Sequence, residues 1–242
     1  MKIVGIIPAR YASSRFPGKP LIDLKGKSMI QRVYEGAKKS ELLDEVIVAT
    51  DDQRIYDEVV RFGGNVKMTS ESHTTGTDRC GEVAEELNVD VVVNIQGDEP
   101  LIDYRQLDQL CSAFNDSTVG IATLGINQVT EEDLQNTNRV KLVCDKNGDA
   151  LYFSRSAIPN SENGKADIVK SFPLFRHIGV YAYRKSTLSE LIELPKSDLE
   201  QVESLEQLRW LYNGYKVRVV ETEIETPNID TPDDIEKVIS AL

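Results

Sequence analysis

Apolar residues fall along the first half of this chain in blocks whose period switches back and forth. Residues 2–7, 45–50, 65–68, 90–96 and 120–124 are short apolar runs rich in β-branched side chains, the signature of strands. Between them, apolar residues recur three and four apart. In 28–42, Met29, Val33 and Ala37 share one helical face, and Ser28 with Gln31 has the spacing of a capping box. Residues 52–62 form a second helical pattern that stops at Gly63-Gly64. Residues 77–87 and 104–114 are two more. This alternation predicts an α/β fold with a doubly wound, mostly parallel, Rossmann-like sheet. The run 90–96 is apolar throughout, so it belongs at the centre, covered on both faces.

Beyond residue 124 the pattern changes. Residues 139–144 and 150–154 flank Lys146-Asn147-Gly148-Asp149, and Asn-Gly is a strong hairpin signal. Residues 161–171 are polar and charged and read as a mobile loop. Residues 176–184 read as another strand. An antiparallel lobe spanning roughly 136–190 is therefore expected inside a single domain of residues 1–242. Residues 197–213 read as one helix, with a Ser197/Glu200 capping box, a stripe at Val202, Leu205 and Leu208, and Gly214 as stop. A strand over 216–222 and a last helix opened by Thr231-Pro232 complete the chain.

Composition narrows the function. At 242 residues and 40% hydrophobic, the chain can bury a full core. A net charge of −12 argues against nucleic acid as a partner, since that needs a broad basic face. No apolar run approaches the ~20 residues of a membrane span, and no signal-peptide pattern leads the chain. Cys80, Cys111 and Cys144 are odd in number and widely spaced, as expected of free thiols in a reducing cytoplasm.

Against the acidic background, residues 8–21 (PARYASSRFPGKPL) carry Arg10, Arg15 and Lys19 and no carboxylate. Short basic clusters are often solvated loops. Here Pro and Gly punctuate the cluster directly after a buried strand, where open α/β sheets bind ligands. The chain has neither a Walker loop nor a dinucleotide fingerprint at this strand, so side-chain cations are expected to grip a polyphosphate. Asp98 follows the central strand and is a candidate Mg²⁺ ligand, with Asp230 as the second carboxylate. Either can also be a turn or helix cap. Residues 73–79 open a helix with glycine and hydroxyls, suited to a nucleobase edge or an anion. Arg155, Arg176 and His177 lie among Tyr152, Phe153, Tyr181 and Tyr183, and an arginine there suits a carboxylate. Arg176 and His177 are adjacent in a strand, so only one of them is expected to face a pocket. Glu203 and Gln207, four apart, are expected on one helical face, available to sugar hydroxyls.

With residues 48–52 (VATDD), 76–79 (GTDR), 96–100 (QGDEP), 150–155 (ALYFSR), 176–183 (RHIGVYAY), 203–209 (ESLEQLR) and 229–234 (IDTPDD), the chain closely resembles the 3-deoxy-manno-octulosonate (Kdo) cytidylyltransferase family over its whole length. The resemblance implies that CTP and Kdo react to CMP-Kdo and pyrophosphate, for lipopolysaccharide synthesis, in a cytoplasmic homodimer. It implies Mg²⁺ at Asp98 and Asp230, and catalytic roles for these two with Arg10 and Lys19. Arg10, Arg15 and Lys19 would hold the triphosphate, with Pro8, Ala9, Gly76, Arg79 and Gln96 along the nucleotide. Gln96, Arg155, His177, Tyr181, Glu203 and Gln207 would surround the sugar. The residues 160–173 are this chain's own and leave open a variant sugar, such as an amino analogue. A metal-dependent glycosyltransferase reading Gly97-Asp98-Glu99 as its metal element is the rival, and the triphosphate-gripping cations argue against it.

Overall fold

The computed structural model describes all residues except 13–15, 161–171, 228 and 230–232, and all side chains among these except that of residue 237. The expected mobile loop at 161–171 and the Thr231-Pro232 helix start lie outside the described residues. The central sheet is built on β1 (Ile3–Ala9), β2 (Glu45–Thr50), β3 (Val66–Met68) and β4 (Val91–Asn94), mutually parallel in the order β3-β2-β1-β4. Beyond β4 the order continues with β8 (Phe175–Arg184), β5 (Ile121–Ile126) and β9 (Val217–Glu221). Every residue of β4 is buried, as its uniform apolarity requires.

Helices cover both faces. On one face α1 (Met29–Ala37), α2 (Gln53–Arg61) and α4 (Tyr104–Ser112) pack Ile30, Val33, Ile55, Val59, Leu107 and Leu110 against Ile7, Val93 and Val180. On the other, α3 (Gly76–Glu85) and α6 (Lys185–Ile192) pack Cys80, Val83, Leu188 and Leu191 against Val4, Ile6 and Val92. Each such aliphatic side chain contributes about 1.5–3 kcal/mol by leaving water. A short α5 (Glu131–Gln135) precedes the hairpin β6 (Lys141–Cys144) and β7 (Ala150–Ser154), which pair antiparallel. The last helix, α9, spans Asp234–Ala241.

Three expectations are corrected. The α1 helix stops at Ala37, and its capping box is half made: the Ser28 hydroxyl accepts from the Gln31 N–H, while the Gln31 amide donates to Glu35 instead. The strand expected in the antiparallel lobe, β8, enters the central sheet antiparallel between β4 and β5, while its start also pairs with β6. It can sit there because both its faces are apolar: Val180 and Ala182 enter one core, Tyr181 and Tyr183 the other. Finally, the single helix expected over 197–213 is two, α7 (Asp198–Glu203) and α8 (Gln207–Tyr212), broken at Ser204, which adopts a left-handed φ of 53°. Val202 is left 84% exposed, so it is no core stripe.

The two halves are clamped by Arg209 of α8, whose Nη2 and Nε donate to the Glu200 carboxylate of α7 at 2.6 and 2.7 Å. Both side chains are nearly buried. Removing one partner of a buried pair leaves an uncompensated charge, so Glu200→Ala is expected to lose about 3–5 kcal/mol of unfolding free energy in urea titration. A loss of the size of a surface pair, under about 1 kcal/mol, would show that the clamp does not hold the break.

Candidate active site

The carboxyl ends of β1, β2 and β4 lie side by side, and the loops leaving them form one edge. Pro8 and Ala9 end β1, and two glycines close on Pro8. A Cβ at Gly76 would stand 3.0 Å from the Pro8 ring, and one at Gly97 3.0 Å from the Pro8 carbonyl oxygen. Bare backbone at both positions lets the start of α3 and the end of β4 approach β1 this closely. The α3 helix starts at this point, capped by Thr75 in a reciprocal box with Asp78, so its first N–H groups lie at the edge.

Arg10 is exposed directly after β1, with no ion-pair partner among the described residues. The Gly18 N–H, at φ 73°, closes the loop by donating to the Tyr11 carbonyl at 2.9 Å, and the Arg54 guanidinium stacks on the Tyr11 ring. Lys19 follows. Its Nζ donates to Asp98 Oδ2 at 2.9 Å and to the Ile229 carbonyl at 2.5 Å, and the Ile229 N–H returns a bond to the Asp98 carbonyl at 3.0 Å. A cation here meets two hard oxygens, the donor type that Mg²⁺ prefers. Arg15 and Asp230 lie outside the described residues. Arg79 is committed within the protein: its side chain is 1% exposed and bound to Asp51 at 2.7 Å and to the Thr69 hydroxyl, tying α3 to the residues just beyond β2 and β3.

Beyond Asp98 opens a cavity of about 700 Å³ bordered by Gln96, Asp98, Arg155, Arg176, His177 and Gly179, among others. The Gln96 amide donates to the Gly179 carbonyl at 2.9 Å, joining the chain after β4 to β8. His177 Nε2 lies 3.0 Å from the Thr123 hydroxyl, which itself donates to the Val180 carbonyl at 2.8 Å. One hydroxyl has one proton, so this network assigns the imidazole proton to Nε2 and leaves Nδ1 as an acceptor. Phe153 and Tyr181 flank the ring, and burial pushes its pKa down to about 3, so it is neutral. Burial likewise raises the Tyr181 phenol, which stays protonated against Trp210.

Strand alternation does not hide Arg176. The register slips where Thr123 pairs with Tyr181 but Leu124 with Ile178, and the cavity borders four consecutive residues of β8. Arg176 is held by Glu225 at 2.6 Å.

Arg155 and Glu203 hold each other. The Glu203 carboxylate accepts from the Ser154 hydroxyl at 2.7 Å and the Arg155 N–H at 3.0 Å; the Arg155 guanidinium donates to the carbonyls of Glu203, Ser204 and Thr137. Because the helix breaks here, Glu203 and Gln207 do not share a helical face. The carboxylate turned toward the start of α3 is Glu206, which accepts from the Thr77 hydroxyl at 2.8 Å and whose pKa burial raises. Sequence reasoning missed it, although it lies within the segment 203–209. Gln207 is buried, and its amide nitrogen has no partner among the described residues; nor has the buried Asn94 Oδ1. An unpaired buried polar atom costs about 1–3 kcal/mol.

Fold and site together define an enzyme of the nucleotidyltransferase class. A family model described as cytidylyltransferase matches residues 4–222. A relative from Parabacteroides distasonis named 3-deoxy-manno-octulosonate cytidylyltransferase is 52% identical over all of this chain and 98% of its own, and one of the same name from Geobacter metallireducens is 46% identical with the same coverage. A solved structure of CMP:2-keto-3-deoxy-manno-octonic acid synthetase complexed with CTP superposes with a TM-score of 0.93 at 43% identity, covering 100% of this chain and 98% of that one. The chain belongs to the cytidylyltransferase family, with the 3-deoxy-manno-octulosonate cytidylyltransferases as its relatives.

Because His177 is neutral when folded and its pKa falls from 6.5 to about 3, the unfolded chain takes up a proton in this window that the folded protein refuses. Stability is therefore lost as the pH falls from about 6.5 toward about 3. Urea titrations at pH 7 and pH 5 are expected to show a smaller drop for His177→Gln than for the wild type; equal drops would mean the imidazole is not held neutral.

Proposed function

We propose that the protein transfers a cytidylyl group from CTP to the anomeric hydroxyl of Kdo, releasing pyrophosphate and supplying CMP-Kdo for lipopolysaccharide synthesis. The observation that carries this reading is the Lys19–Asp98–Ile229 junction beside a cavity bordered by Gln96, Arg155 and His177. One end offers a cation and hard oxygens, which support binding of phosphates and a metal, and the other offers polar side chains, which support binding of a polar acid. The relatives' names and the CTP-bound neighbour support the two substrates.

In this mechanism Arg10 and Lys19 neutralise the phosphates, with Arg15 assigned beside them from the sequence. The first N–H groups of α3 and the backbone at Pro8 and Ala9 line the nucleotide. Asp98, with Asp230 as the second carboxylate, would hold Mg²⁺, which when bound neutralises phosphate oxygens and acidifies a hydroxyl. Lys19 exchanges Asp98 for phosphate oxygens. Neutral His177 offers Nδ1 to a sugar hydroxyl, and Glu206 stands at the start of α3. A new bond forms from the sugar oxygen to the α-phosphorus as the bond to pyrophosphate breaks, and the hydroxyl proton passes to solvent water. Such transfers rely on positioning and charge neutralisation, which is what these residues provide.

We place the reaction in the cytoplasm, in a homodimer. Three cysteines without disulfides suit a reducing compartment. Leu151, Val202 and Tyr212, exposed on β7, α7 and α8, supply apolar surface for a second copy.

Pyrophosphate release measured with each nucleoside triphosphate, crossed with Kdo, its 8-amino analogue and sialic acid, tests the assignment. Release is expected with CTP and a Kdo-type acid; preference for another nucleotide or for sialic acid would overturn it. Asp98→Asn should lower turnover by at least about 10²-fold, because charge stabilisation in the transition state is lost. Near-normal turnover at saturating Mg²⁺ would remove Asp98 from the site. Lys19→Ala should weaken CTP far more than CMP in calorimetry, and equal losses would refute its contact with the outer phosphates.

A further inference from the structure

Lys141 on β6 is buried in a way that neither the fold nor the chemistry above explains. It has no exposed surface, and lysine is almost never fully buried unless paired. Among the described residues no carboxylate stands within ion-pair distance of it. Its Nζ donates instead to two backbone carbonyls, Asn136 at 3.0 Å and Arg155 at 2.5 Å. Its cross-strand neighbours are Ser154 on β7 and Arg176 on β8, so a second cation stands directly opposite, an arrangement that destabilises a sheet. Burial lowers the pKa of the ammonium, Glu203 and Asp133 oppose that shift, and Arg155 adds to it.

A costly charge is thus retained at one point, and the two segments it joins both border the cavity. Asn136, Asn138 and Arg139 precede it and Arg155 lies beyond β7. Arg155 in turn donates to the Thr137 carbonyl at 3.2 Å, so the two cations cross-link the same two segments from opposite ends.

We propose that Lys141 is a positioning residue for the acidic sugar: its ammonium fixes residues 136–139 against the end of β7 and so sets where Arg155 and Asn136 meet the substrate. This rests on the reading that the cavity takes Kdo and the β1–α3 edge takes CTP. A lysine needed only for folding would harm both substrates alike. A positioning lysine separates them, because the nucleotide edge is built from β1, α3 and the end of β4 and uses neither cross-linked segment.

The test measures pyrophosphate release and CTP affinity by calorimetry for the wild type, Lys141→Met and Lys141→Gln. Lys141→Met is expected to raise the Kdo KM roughly tenfold or more while CTP affinity stays within about twofold. Lys141→Gln, whose amide still donates to carbonyls, is expected to recover part of that loss. Where Lys141→Met does not fold, Lys141→Gln decides by the same split between substrates. An unchanged Kdo KM, or equal losses for Kdo and CTP, overturns the proposal. A wild type that does not use Kdo brings down the functional reading and this proposal together, whereas failure of the variants alone overturns only the role of Lys141.

Discussion

The Lys19 ammonium joins stretches of chain that lie 79 and 210 residues away from it. One is the turn after the central strand β4, the other the segment leading into the last helix. Neither has a reason to meet the first loop until the sheet has formed. Ile229 is then buried with Leu24, Met29 and Val238, a small apolar cluster that holds the C-terminal segment against the loop carrying Lys19. The pair is partly shielded from water, where a charge-assisted bond is worth more than at the surface. The same contact defines the chemistry. A cation already resides between the oxygens of Asp98 and Ile229, so the site is organised for positive charge before a triphosphate arrives.

Close approach at Pro8 is the second constraint. Two glycines from different loops meet one proline, and together they bring two strand ends and a helix N-terminus to a single edge. Side chains at either glycine would push α3 or the end of β4 away from β1.

On the other wing, one backbone break decides which side chain can reach a ligand. Arg155 caps the carbonyls of Glu203 and Ser204, and Glu203 is spent on β7. Beyond the break, Glu206 meets Thr77 of α3. Glu200 and Arg209 then lock the two short helices across the break. Arg155 and Glu203 are therefore first of all the frame of this wing, and a role toward a ligand is carried by what they leave uncommitted.

The periodicity of the sequence by itself determined the alternation of strands and helices, the central place of β4 and the β6–β7 hairpin, because burial on one or both faces leaves its mark residue by residue. Lys19 and Asp98 were legible for the same kind of local reason: opposite charges placed after buried strands. The tertiary structure alone decided the rest. β8 reads as an ordinary strand, and its insertion between β4 and β5 depends on pairing partners far away in the chain. Residues 197–213 read as one helix because its pattern of apolar residues is continuous; at the break, Arg155 from another element takes the carbonyls of Glu203 and Ser204. Arg79 looks like any cation at a helix start, and only the arrival of Asp51 and Thr69 buries it. Lys141 sits in an apolar run that marks it as out of place but not as bonded. Local pattern records what each residue must bury, while the partners that satisfy a buried charge or carbonyl come from elsewhere in the chain and exist only once it has folded.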